Sequence, residues 1–136
     1  MSSSLSPERR AAFWIVPQTS RVLGLGLLVP NLSPGMPAEM AVPTAIGDST
    51  TAVLSLAAFV LLHRGHRWGP AVGWLCMVVG VLDGVHALTT AARLQVASHL
   101  AAQWFVPAVN IPLMAVCHVA GVTALIQLAR ARSLRR

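Results

Sequence analysis

The sequence predicts an all-α fold: an integral membrane four-helix bundle with N and C termini cytoplasmic. Composition, the spacing of apolar runs and a lopsided distribution of arginines predict it. Of 136 residues, 55% are hydrophobic and 10% charged, and the mean hydropathy is +0.67. A soluble domain of this size needs far more charge on its surface. There is no Lys, and ten Arg carry the positive charge behind a pI near 11.6. These Arg sit in short clusters between apolar runs, without a basic helical face or a nucleic-acid motif. Membrane topology accounts for them, and nucleic acid is excluded as a partner.

A helix crosses the roughly 30 Å hydrocarbon core with about 20 apolar residues. Four runs meet this length, and they make residues 1–136 a single transmembrane domain: Ala11–Pro30, Thr44–Leu62, Trp68–Ala92 and Gln103–Leu128. The first is the weakest because Arg21 interrupts it, and it rests partly on the even number of spans that the charges require. Arg9 and Arg10 precede the first span, Arg64 and Arg67 join the second to the third, and Arg130, Arg132, Arg135 and Arg136 follow the fourth. The other side has only Arg93, beside Glu39. Positive residues stay cytoplasmic during insertion, so both termini are expected inside, in a multi-pass protein of the inner (plasma) membrane. Trp14, Trp68 and Trp104 near span ends suit the interface. No cleavable signal peptide is expected, since Pro17, Gln18 and Arg21 interrupt the first apolar run.

The connection 31–43 contains Pro34, Pro37 and Pro43 with Met36, Met40 and Val42, and reads as an ordered cap or lid, or as a plain linker. The tail 129–136 is basic, and anionic lipid is a candidate partner for it. Gly69, Gly73, Gly80 and Gly84 form a seam on the third span, suited to packing within the bundle or to a homodimer. Cys76 and Cys117 read as small buried hydrophobes, with no redox or zinc spacing.

Polar residues inside spans carry the functional information, because each is costly against lipid. At about 100° per residue they gather on single faces. Trp14, Pro17, Gln18, Arg21 and Gly24 share one face of the first span. Thr44, Asp48, Thr51 and Ser55 share one of the second; Asp83, His86 and Thr90 one of the third. Trp104, Pro107, Asn110, Met114, His118 and Gly121 share one of the fourth. Measured from the outer ends at 1.5 Å per residue, Asp48 lies roughly 6 Å deep, His86 roughly 9 Å and Asn110 roughly 10 Å. Arg21 and Asp83 lie at roughly 13 Å, and His118 at roughly 22 Å. The matched depth predicts an Arg21–Asp83 ion pair, which leaves Asp48 as a second carboxylate without an evident cation. Asp48 also reads as a solvated residue in a helix's first turn.

Asp83 and His86, three residues apart, suit an acid/base pair, a carboxylate that orients a metal-ligating imidazole, or a structural hydrogen bond. His118 alone is a ligand candidate or a satisfied core histidine. His63, His66 and His99, at span ends and in loops, carry no assigned role. A bis-His haem is disfavoured because His86 and His118 differ by roughly 13 Å in depth. A metal site from Asp48, Asp83 and a histidine is chemically sensible, but no tight ligand spacing backs it, so no metal or cofactor is assigned. Pro107 and Pro112 are expected to bend the fourth helix and free the carbonyls of residues 103 and 108.

The order Gly47-Asp48 at the second span, Asp83 in the third, then Trp104, Pro107, Pro112 and His118 in the fourth resembles an uncharacterised family of small bacterial four-span integral membrane proteins. The likeness covers the last three spans and carries over no activity. There is a looser resemblance, by analogy, to sterol-isomerase-like membrane proteins, which place acidic, His and Trp residues inside a small bundle.

Together these residues predict a polar pocket in the outer half of the bundle for a small amphipathic or isoprenoid-like molecule. Asp83, His86 and Asp48 are the acid/base candidates; Arg21, Trp104, Asn110, His118 and Thr51 are the ligand-binding candidates. The alternatives are a non-catalytic accessory subunit of a larger membrane complex, and a proton- or cation-coupled transporter acting as a dimer.

Overall fold

The computed structural model describes residues 5–134; Arg135 and Arg136, counted in the charge bias, lie outside them. The protein is an all-helical bundle, and no strand occurs among the described residues. Four segments are long and apolar enough to span a membrane: Pro7–Leu28, Ala38–His63, Gly69–Leu94 and Ala101–Ser133. The first comprises α1 (Pro7–Ile15) and a 3-10 helix, Val16–Leu28, that continues it. Helices α2 (Ala38–His63), α3 (Gly69–Leu94) and α4 (Ile111–Ser133) follow.

The helix ends follow from local chemistry. Ser6 caps α1 by accepting from the Arg9 amide at 3.3 Å, with Pro7 in the first turn, where its missing N–H costs nothing. Between α2 and α3, Gly65 adopts φ +66°, a left-handed conformation that ends a helix cheaply in glycine. The second helix starts at Ala38 rather than Thr44, so Pro43 is helical and the non-helical connection is 29–37. Asp48 is therefore not in the first turn of α2. Its depth is about 15 Å from Ala38 instead of 6 Å.

The 3-10 run is the main departure from the expected fold. Such runs rarely exceed three or four residues, yet this one has 13. Side chains compete there for the carbonyls that an α-helix would use. Ser55 Oγ donates to Ile15 O at 2.8 Å, and Thr19 Oγ1 to Val16 O at 2.6 Å. Pro17 also has no N–H to give. With three residues per turn, Ile15, Gln18, Arg21, Gly24 and Leu27 line up in single file toward the interior, in place of the α-helical face that included Trp14 and Pro17. The greater rise lets 22 residues cover about 40 Å, as α2 does with 26.

Proline also shapes the entry to α4. Val106–Asn110 forms a π turn that carries Pro107 and leads into Pro112, where a freed-carbonyl bend was expected.

Packing is layered. Toward the termini, Ala11, Ile15, Leu62, Cys76, Met77 and Leu125 belong to an apolar core drawn from all four spans. Toward the 29–37 connection, Leu27, Met40, Ala41 and Val96 make a smaller one. The polar residues lie between. Both cysteines are free and buried. Many large apolar residues point outward, including Val53, Leu82 and Val119, as lipid contact requires. Ion pairs Arg93–Glu39 and Arg132–Glu8 join helix ends on opposite sides of the bundle.

The glycine seam serves internal packing over most of its length. A Cβ on Gly73 would sit 3.1 Å from both Ile15 Cδ1 and Leu125 Cδ2, and one on Gly69 would press on the Leu62 amide at 3.0 Å. Gly84, by contrast, faces open space. Gly73→Leu is expected to cost about 1–3 kcal/mol or more by overpacking, whereas Gly84→Leu leaves stability nearly unchanged. Thermal melts of the two variants in mild detergent check this; equal melting temperatures would contradict the packing role.

Candidate functional site

Arg21 lies at the centre of the polar layer. Its Nε donates to Asp48 Oδ1 at 2.7 Å, its Nη2 to Asp83 Oδ2, and its Nη1 to the Gly80 carbonyl at 3.1 Å. One guanidinium from the first span thus joins α2 and α3 through side chains and α3 again through its backbone. The side chains of Arg21, Asp48 and Asp83 are 12%, 14% and 7% exposed. The expected Arg21–Asp83 pair forms. The expectation that Asp48 lacks a cation is corrected, because the planar fork of Arg reaches both carboxylates at once.

Glycine makes room for both acids. A Cβ on Gly24 would overlap the Asp48 carboxylate, and one on Gly47 would overlap that of Asp83. The absence of a side chain at these two positions lets the three spans approach closely enough for a single arginine to bridge them. Neither glycine is among the site residues that the sequence predicts. The available signals were Gly24 three residues after Arg21, in register on a 3-10 helix, and Gly47 directly before Asp48.

The remaining candidates divide into those near the triad and those away from it. Thr51 is fully buried and donates to Gly47 O at 2.8 Å, with its methyl toward Gly80. His118 approaches from α4 and is half-buried, its Cε1 3.7 Å from where a Gly80 Cβ would stand. Asn110 is not part of the triad: its Oδ1 accepts from Ser20 at 3.1 Å, linking the π turn to the 3-10 run. Ser20 was not anticipated, because an α-helical projection turns it away from Arg21's face. Trp104 is 62% exposed and makes no side-chain hydrogen bond to the triad.

His86 is exposed and makes no side-chain hydrogen bond to Asp83, so the expected pair does not form. Asp83 is turned to Arg21, and three residues on an α-helix still leave a 60° offset. His99, given no role from sequence, contacts the Pro34 carbonyl at 3.2 Å and ties the α3–α4 connection to the 29–37 cap. Among the described residues, no three His, Cys, Asp or Glu side chains converge as a metal site. The predicted pocket around the acids is not one of the two cavities that stand out. One of about 280 Å³ lies at the termini, lined by Leu5, Pro7, Arg10, Ala124 and Gln127. The other, of about 230 Å³, lies at the 29–37 cap.

Two buried glutamines in the bundle are incompletely satisfied. Gln18 is fully buried; its Nε2 donates to Met114 O at 3.2 Å while its Oε1 has no partner. Gln103 is also buried with an unpartnered Oε1, and its amide lies where a Cβ on Gly26 would be.

The fold and site define a small multi-pass membrane protein with an ionic triad inside an apolar bundle. The chain belongs to the family described as Domain of unknown function (DUF8737), whose model matches residues 1–127. This is consistent with the resemblance to an uncharacterised family of four-span proteins. No curated protein and no solved structure matches the chain.

Removing one partner from a buried ion pair leaves an uncompensated charge and costs about 3–5 kcal/mol. Arg21→Leu is accordingly expected to lower the detergent melting temperature sharply, and the triple variant Arg21→Leu/Asp48→Asn/Asp83→Asn to recover most of the loss. A triple variant that melts as low as Arg21→Leu would show that uncompensated charge is not the source of the loss.

Proposed function

We propose that the triad is the polar end of a binding site for a small amphipathic or isoprenoid-like molecule, in a multi-pass protein of the inner membrane whose termini are cytoplasmic. One observation carries this reading: a single guanidinium is shared by two carboxylates in apolar surroundings. With both acids ionised the triad holds a net negative charge, and desolvation favours its neutralisation by a proton or a ligand cation. Asp48 and Asp83 are the groups that would exchange that proton with a bound molecule, Arg21 would hold them in position, and His118 would border the reacting end.

Access is supported by the seam on α3. Gly80 is enclosed by Thr51, Arg21 and His118, but Gly84, one turn along the same face, meets nothing within 4 Å. A molecule dissolved in the bilayer would enter sideways at Gly84 and reach Asp83 beside it. The exposed His86 has no catalytic part in this scheme.

The same charge arrangement favours a second reading, proton- or cation-coupled transport, in which the exchangeable charge is the cargo or its coupling ion. An accessory role in a larger complex is a third, on which the triad only fixes helix register.

Native mass spectrometry from nanodiscs separates these readings. The binding reading expects a retained small molecule, lost in Asp83→Asn while the variant still inserts and folds. Retention of the same molecule by Asp83→Asn would sink that reading. A pH-driven flux in proteoliposomes without retained ligand would favour transport, and a co-purifying polypeptide the accessory role.

A further inference from the structure

The cavity at the 29–37 cap is separate from the triad. It is about 230 Å³, and its lining includes Leu27, Pro30, Ser33, Met36, Ala41 and Val42, with no charged side chain. None of the residues lining it belongs to the triad, and Leu27 and Ala41 join its wall to the smaller apolar core.

Ser33 makes this more than a crevice. It is 2% exposed, and its Oγ has no hydrogen-bond partner. Its backbone is already engaged: the amide donates to Val29 O at 3.0 Å, and the carbonyl accepts from Met36 N at 3.3 Å. A buried hydroxyl without a partner is unfavourable and uncommon, so its position asks for an occupant. Helix α2 starts at the same wall after Pro37, without a side-chain cap; the Met40 and Ala41 amides donate to Pro37 O, which leaves the amide of the lining residue Ala38 without a side-chain acceptor. Both features offer donors to an oxygen. The cap is preformed, since Pro30, Pro34 and Pro37 restrict its backbone and His99 holds Pro34 from the next connection.

We infer that this cavity binds the oxygen-bearing end of an uncharged, long apolar molecule: a long-chain alcohol or the ester carbonyl of a neutral lipid. Ser33 Oγ donates to that oxygen. The absence of a lining cation or anion argues for an uncharged group. The volume is below the roughly 300–1,000 Å³ of a site that encloses a whole drug-sized ligand. Only one end is therefore held, and the chain continues into the bilayer past Val42 and Ile46, both exposed on one face of α2. This site does not depend on the function proposed for the triad.

The test uses the full-length protein in phosphatidylcholine vesicles and a hexadecanol probe carrying a diazirine near its hydroxyl. After irradiation, labelled peptides are mapped by mass spectrometry, with excess unlabelled farnesol or dioleoylglycerol as competitor. Labelling is expected to concentrate within 27–42 and to be competed. Ser33→Ala should weaken labelling roughly three- to tenfold, as loss of one hydrogen bond implies. Val42→Trp, which fills the rim, should also weaken it, and Val53→Ala, at a lipid-facing position away from the cavity, should leave it unchanged. Competition by farnesol alone identifies a free isoprenoid alcohol as the natural class; competition by dioleoylglycerol identifies a lipid ester. Labelling spread evenly over lipid-facing positions such as Val53 and Val81, with no effect of Ser33→Ala or of either competitor, overturns the assignment.

Discussion

A guanidinium carried into the apolar interior of a helix bundle is costly unless its charge and its donors are met there. Arg21 meets that requirement with two carboxylates and one backbone carbonyl, and much of the surrounding structure follows from it. Asp48 and Asp83 must come to the same depth on neighbouring helices. Gly24 and Gly47 must lack side chains so that the carboxylates fit. The 3-10 winding of Val16–Leu28 lets Gln18, Arg21 and Gly24 face inward in one file, where an α-helix would rotate each by 60° from the last.

The winding has a cause in sequence chemistry, but the cause is distributed. Pro17 withholds a donor, Thr19 takes a carbonyl of its own chain, and Ser55 reaches over from α2 to take another. Only the first two belong to the local sequence. The hydroxyl of Ser55 lies 40 positions from Ile15 along the chain, and its effect exists only once α1 and α2 are packed. The first span's helix type is thus partly a tertiary property.

Two polar devices sit at different depths. The triad is held between apolar layers, its three side chains joined to one another. The cap near Ser33 lies at the end of the bundle, with a hydroxyl and uncapped helix donors around a preformed cavity. Charge dominates the first and hydrogen bonding the second, so they select different ligand chemistry. Both border the same first span, from Arg21 to Leu27.

Composition, hydropathy and the lopsided arginines together determined that this is an all-α membrane protein with four spans, because lipid demands about 20 apolar residues wherever a helix crosses and positive residues stay on one side. Matched depth also made the Arg21–Asp83 pair legible, since an isolated charge there is untenable. Side-chain direction was not legible. The expected partnership of Asp83 with His86 fails because Asp83 turns toward Arg21, and nothing in a three-residue spacing fixes which neighbour wins. The joint capture of Asp48 required the start of α2 at Ala38, a boundary hidden by Pro43, which the helix tolerates. His99 gained a partner, Pro34, 65 positions away. Spacing along one helix determines which residues share a face; only the packed bundle decides how helices are rotated against each other, and with it which polar groups meet.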